Sequence, residues 1–162
     1  MLVIADSSPV IVLVNVGHLD VLPKLFGHIV IPPAVAQELA SPSRPQAVRD
    51  FAATPPPWLR IERPSIVQPI PELHPGETEA LSLALELHAD LVLIDERRAY
   101  REAVARKLNA IGTVRVLERA AAEKLLDLEN AFDRLKRTDF WISQKLLDER
   151  LKLFQQQYGS NT

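Results

Sequence analysis

Two short apolar runs, 2–5 (Leu-Val-Ile-Ala) and 91–94 (Leu-Val-Leu-Ile), each end abruptly on an aspartate, Asp6 and Asp95. Runs this short, without polar alternation and bounded by turn signals, read as parallel strands buried on both faces. A further run of this kind spans 28–31 and a brief one 110–112, and residues 58–61 read as a short edge strand. Helical patterns separate them. Residues 10–16 are rich in valine, which suits a strand. However, Ser8 offers an N-cap, Pro9 suits the first helical position and Gly17 supplies a stop, so a helix is the better reading. Other helices are expected at about 19–26, 34–39, 46–53, 77–88, 96–109, 113–123, 128–136 and 143–156. The last carries Leu147, Leu151 and Phe154 at the spacing of one helical stripe. Residues 63–75 hold four prolines and read as a surface loop.

Strands alternating with helices imply an α/β fold. Its central parallel sheet would have about four to five strands, with right-handed crossovers and helices on both faces in three α/β/α layers. A length of 162 residues suits a single domain over 1–162, with the helices from about 128 packing on it or extending it. In such sheets ligands bind beyond the carboxyl ends of the strands, where Asp6 and Asp95 stand.

The absence of cysteine excludes disulfides, thiolate catalysis and thiolate metal sites. A net charge of −2 means that any binding of nucleic acid relies on locally concentrated positive charge. The N-terminus lacks a basic segment, Asp6 interrupts its apolar run, and no stretch approaches the length of a membrane span. The expectation is a cytoplasmic protein without membrane contact. The four histidines lack ligand spacing, and there is no phosphate-binding glycine loop or Ser-His-Asp signature. Trp58 and Trp141 read as packing anchors, in the core or in an interface.

Two glutamates join the strand-end aspartates. At about 100° per residue, Ala80, Leu81, Ala84 and Leu85 fall within roughly 80° of Glu77, which places Glu77 on the buried stripe of its helix. Glu79 faces about 160° away and is expected in solvent. Glu38 lies beside Val35 and Leu39, close to the apolar face of its own helix. Clustered carboxylates repel and raise each other's pKa, whereas a divalent cation holds them ionised. An oxygen-only donor set suits Mg²⁺ or Mn²⁺, either of which can activate water for phosphodiester hydrolysis. Ser7 or Ser8 would orient Asp6 or a metal-held water from behind.

The segments Val3-Ile4-Ala5-Asp6-Ser7-Ser8-Pro9 and Pro32-Pro33-Ala34-Val35-Ala36-Gln37-Glu38-Leu39 resemble the PIN-domain family. So do Gly76-Glu77-Thr78-Glu79-Ala80-Leu81-Ser82-Leu83-Ala84 and Leu91-Val92-Leu93-Ile94-Asp95-Glu96-Arg97-Arg98. These last two, with Phe140-Trp141-Ile142-Ser143, look like the VapC-like branch of bacterial and archaeal members. The resemblance covers about residues 1–150. It implies a Mg²⁺- or Mn²⁺-dependent endoribonuclease that is often the toxin of a toxin–antitoxin pair. Asp6, Glu38, Glu77 and Asp95 match the acidic positions, and Glu79 is a further acid of this branch. The chain departs from the family in having Glu77 where many members carry aspartate. It also has Gly112-Thr113 at the next strand end, where some carry another acid or hydroxyl. Thr113 offers a hydroxyl, and Arg115 stands where a small residue is expected and would crowd or neutralise the site.

RNA phosphates would meet Arg97, Arg98 and Arg101 on the helix after Asp95, with Tyr100 available for stacking. The same helix also carries Arg106 and Lys107, and the alternative is a solvated face with local ion pairs to Glu96 and Glu102. The family implies a cognate antitoxin that masks the acidic site and is compatible with a homodimer. The competing functional reading is a non-catalytic PIN-like module that binds RNA or protein. A receiver-like phosphoacceptor would require a lysine at the end of a fifth strand, and none stands out.

Overall fold

The computed structural model describes residues 1–159. Its five strands are β1 (Val3–Ala5), β2 (Ile29–Ile31), β3 (Leu59–Ile61), β4 (Leu91–Leu93) and β5 (Ala110–Ile111). All pair in parallel, in the order β3-β2-β1-β4-β5. The nine helices described are α1 (Ser7–Asn15), α2 (Val21–Phe26), α3 (Pro33–Leu39), α4 (Gln46–Ala53), α5 (Pro75–Leu87), α6 (Arg97–Ala105), α7 (Thr113–Ala122), α8 (Leu128–Lys136) and α9 (Gln144–Tyr158). None is long and apolar enough to cross a membrane.

The period-2 alternation of strand side chains splits the core in two. Val3, Ala5, Ile29, Ile31, Leu91 and Leu93 point to one face, where α1, α2, α7, α8 and α9 supply Leu13, Leu22, Leu117, Phe132 and Leu147. Ile4, Val30 and Val92 point to the other, against Leu81, Leu83 and Ala84 of α5 and Ala99 and Ala103 of α6. The helices beyond residue 128 therefore belong to the larger core. Chain order reverses between β1 and β4, because successive crossovers run outward from β1 through β2 to β3 and from β4 to β5. That switch point is where an α/β sheet opens a crevice at its carboxyl edge.

Several local expectations shift. α1 starts at Ser7 with Asp6 as its N-cap residue, so Pro9 sits third in the helix and not first. The helix tolerates this because first-turn N–H groups have no helical acceptor to lose. α6 ends at Ala105, short of 109. Lys107 adopts the left-handed conformation (φ 62°), the Leu108 N–H reaches Ala103 O (3.0 Å) and the Lys107 N–H reaches Val104 O (2.9 Å). This is a Schellman closure built without glycine. α7 ends the same way at Lys124 (φ 61°). The loop after β3 straps the outer side of α5, where Gln68 N–H donates to Ser82 Oγ (2.9 Å). Thr78 and Ser82 are buried as a result, although the helical stripe placed them away from the core.

A side chain in the left-handed region costs about 1–2 kcal/mol that glycine avoids, partly offset by glycine's greater freedom when unfolded. Lys107→Gly and Lys124→Gly should therefore each stabilise the fold by about 0.5–1 kcal/mol, or about 1–4 °C in thermal unfolding.

Candidate active site

Asp6 and Asp95 follow the two central strands, and the Asp6 N–H continues the ladder to Leu93 O (2.9 Å). Asp6 is 3 % exposed and its Oδ1 has no hydrogen-bond partner among the described residues. Burial pushes its pKa from 3.8 up to about 7. The Ser7 backbone N–H counters this, while the charges of Glu38, Glu77 and Asp95 add to it. The four predicted acids thus share one electrostatic site centred on Asp6.

The surrounding acids are better supplied with donors. Glu38, on α3, accepts from Ser7 Oγ (2.5 Å) and from the Gly76 N–H at the start of α5 (3.1 Å). Asp95 accepts from the Thr113 N–H (2.7 Å), Thr113 Oγ1 (2.7 Å) and Ser8 Oγ (3.2 Å). Burial still raises its pKa, against those bonds. Glu77 accepts the His74 N–H (3.0 Å), closing the first turn of α5. Burial raises its pKa too, and Glu96 adds to the rise. Glu96, the N-cap of α6, was not singled out from sequence because it reads there as a surface acid. It accepts from the Ala99 N–H (2.7 Å).

Two glycines make this packing possible. A Cβ on Gly76 would collide with the Glu38 carboxylate, meeting Cδ and Oε2 at 2.8 Å. A Cβ on Gly112 would meet Asp95 Oδ1 at 2.7 Å. In the sequence both look like ordinary punctuation before a helix, and only the carboxylate lying across from each reveals its role.

Other expectations are redistributed. The Ser7 and Ser8 hydroxyls brace Glu38 and Asp95, not Asp6. Glu79 is not solvated; its Oε2 accepts the Ala34 N–H (2.8 Å) and caps the first turn of α3, because α3 packs on that side of α5. Thr113 positions Asp95. Arg115 turns along α7 to Glu118 (3.8 Å), beside Arg150 of α9, and pairs with none of the four acids. Arg97, Arg98 and Arg101 are exposed on α6. Arg106 pairs with Glu102, as the solvated-face alternative expects, while Arg98 pairs with Glu72 of the strap loop and neither Glu96 nor Glu102 is paired with Arg97, Arg98 or Arg101 among the described residues. Trp58 packs against Phe51 with ring centroids 6.0 Å apart. Trp141 is no anchor of the core; it is 95 % exposed.

A family profile described as PIN domain matches residues 2–156. The chain belongs to the PIN-domain family. A PilT N-terminus domain protein from the hyperthermophilic archaeon Sulfolobus solfataricus P2 superposes with a TM-score of 0.56 at 17 % identity, over 74 % of this chain and 93 % of that one. This similarity supports the PIN-like fold. No curated protein matches the sequence. The PIN fold is a nuclease-type fold, and its members typically use divalent metals.

The donors of this PIN domain fit such an ion chemically. They are all oxygens, and Asp6 Oδ1 is buried without a donor among mutually repelling acids. Among the described residues no three acidic or histidine side chains yet converge closely enough to share an ion. The glutamates have the rotatable bonds needed to turn inward.

Ionising Asp6 costs the metal-free fold stability. Its folded pKa lies above its unfolded value, so the folded state holds the extra proton between pH 4 and 7 and stability falls as pH rises through that window. The loss approaches about 1.4 kcal/mol per pH unit. Asp6→Asn should remove it, so that in chelator at pH 8 the variant is more stable than wild type by up to about 4 kcal/mol and at pH 4 the two converge. Urea unfolding at both pH values measures this. Gly76→Ala should leave metal-free stability within about 1 kcal/mol, since alanine favours the helix and the displaced group is a flexible side-chain end. It should also weaken Mn²⁺ affinity at least about tenfold through loss of the Glu38 position, as read by calorimetry.

Proposed function

We propose that this PIN domain is a Mg²⁺- or Mn²⁺-dependent endoribonuclease that hydrolyses RNA phosphodiesters, and that it is the toxin of a toxin–antitoxin pair acting in the cytoplasm. The observation that carries the reading is Asp6, buried at the switch point with an unpartnered oxygen and pushed to a pKa of about 7 amid three further acids. A structural acid in such a place would be expected to have a donor. Here the Ser7 N–H acts on Asp6 but Oδ1 has none, and the other nearby donors serve its neighbours.

In this reading Asp6, Glu38, Glu77 and Asp95 hold the ion. When bound, it supplies Lewis acidity toward the scissile phosphate and activates water for attack. Thr113 and Ser8 fix the angle of Asp95, while Ser7 and the Gly76 N–H fix Glu38. Arg97 and Arg101, one helical turn apart at the start of α6, bind phosphates flanking the cut, whereas Tyr100 lines a separate pocket with Asp90, Asn109 and Ala110. Arg98, held by Glu72, contributes to the same basic face. The non-catalytic alternative rests on Arg115 and on the near-neutral net charge, and the turn of Arg115 to Glu118 leaves it only the second. A cognate antitoxin would mask the acidic cleft, and a homodimer would present two such clefts.

An ion that binds only the folded state, at 100 times its dissociation constant, stabilises by about 2.7 kcal/mol. Wild type should therefore melt about 5–10 °C higher in saturating Mn²⁺, and Asp6→Asn should show no shift. Wild type should cleave single-stranded RNA only with Mg²⁺ or Mn²⁺ present, and Asp6→Asn should not cleave it at all. Cleavage retained by a folded Asp6→Asn would overturn the site. Growth arrest by wild type but not by Asp6→Asn tests the toxin role.

A further inference from the structure

Trp141 lies between α8 and α9 with almost its whole indole in solvent. Its neighbours Phe140 and Ile142 pack against the larger core, so the segment is pinned on both sides and the ring is held outward. It lines an open pocket with the polar Ser7, Ser8, Arg44 and Asp139 and the apolar Ile11, Val12 and Phe140. Ser7 and Ser8 are the residues whose hydroxyls brace Glu38 and Asp95, so this pocket adjoins the acidic site. Arg44 is half-buried and fixed at one edge, its Nε donating to the Glu38 carbonyl (3.2 Å). Its two terminal nitrogens make no hydrogen bond or ion pair among the described residues.

We infer that this pocket is a subsite for one unpaired RNA base, stacked on the Trp141 indole, with the adjoining phosphate held by Arg44. The inference rests on the nuclease reading of the neighbouring acids and names the form of substrate that site takes. An indole face accepts any base, and a planar guanidinium with free N–H groups matches a phosphate. Asp139, on the tryptophan side, repels phosphate and orients the strand so that its backbone runs along Arg44. Two hydroxyls, a guanidinium and a carboxylate stand in this lining beside the indole and the apolar Ile11, Val12 and Phe140, a mixture that suits a nucleotide, whose base is flat and apolar on its faces and whose phosphate is charged. A base can reach the ring only when it is unpaired, so the subsite selects single strands over duplex.

Trp58→Phe leaves Trp141 as the sole tryptophan and a local reporter. In that background with Asp6→Asn added to prevent cleavage, a single-stranded RNA oligonucleotide should quench the indole fluorescence and the same sequence as duplex should not. In the otherwise wild-type enzyme with Mn²⁺, Trp141→Ala should raise KM for the single strand roughly ten- to hundredfold with kcat little changed, and Trp141→Phe should restore most of the loss. If wild type cleaves but Trp141→Ala has an unaltered KM and RNA leaves the fluorescence unchanged, the subsite is refuted while the nuclease stands. If wild type never cleaves but single-stranded RNA still quenches, the subsite stands and the nuclease reading falls. Quenching by a co-purified partner protein but not by RNA would overturn the inference in favour of a protein-docking role.

Discussion

Burial of carboxylates at the carboxyl edge of β1 and β4, to which their mutual repulsion adds, is the constraint around which this molecule is arranged. Asp6 carries the worst of it, being buried, lacking a donor on Oδ1 and facing three other acids. Apart from the Ser7 N–H, the donors within reach are directed elsewhere. Serine hydroxyls, the Thr113 hydroxyl and two backbone N–H groups settle Glu38 and Asp95 and leave the centre short of positive charge. The rest of the fold can carry this load. Fully burying a side chain such as Phe132, Leu117 or Leu13 contributes about 1.5–3 kcal/mol, so two or three of them offset the ionisation of Asp6.

Topology explains why these four acids meet. The order β3-β2-β1-β4-β5 makes β1 and β4 neighbours while their following helices leave to opposite faces, so Asp6 and Asp95 come together at an open edge. Glu38 and Glu77 lie on helices far apart in sequence that pack against each other as α3 and α5. That contact is close at Gly76, whose N–H meets the Glu38 carboxylate where a methyl group would stand. Alanine in that first turn would favour the helix by about 1 kcal/mol, so glycine there gives up local stability for the approach of the acid.

What the sequence discloses depends on whether the reason is local. The strands are apolar runs with abrupt acidic ends, and Glu77 sits on its helix's apolar stripe; both follow from neighbours along the chain. The stop of α1 was visible because Gly17 (φ 76°) marks it, whereas Lys107 makes the same closure after α6 and bears no mark. Glu79 was misplaced because the stripe argument assumes one buried face, and α5 is covered by the sheet, by α3 and by the strap loop. Gly76 and Gly112 could not be recognised without knowing which carboxylate lies across from each. Trp141 did leave a trace: in Phe140-Trp141-Ile142 the flanking residues face inward, and strict alternation then turns the largest of the three outward.

If the substrate is RNA, as proposed, a chain with a net charge of −2 must meet a polyanion with locally placed cations. β1 lies between β2 and β4. The chain after β4 carries Arg97 and Arg101 on α6, and the chain after β2 carries Arg44, whose Nε is held by the Glu38 carbonyl, so these cations lie on the connections of the two strands that neighbour β1. With a Debye length of about 8 Å at physiological ionic strength, such groups act on phosphates already at the cleft and exert little pull from afar. On the proposed ribonuclease reading, binding would therefore rest on short-range contacts, namely guanidinium with phosphate and base with aromatic ring. Central carboxylates that repel the substrate's own charge would require those contacts to hold the strand while a bound cation neutralised the rest.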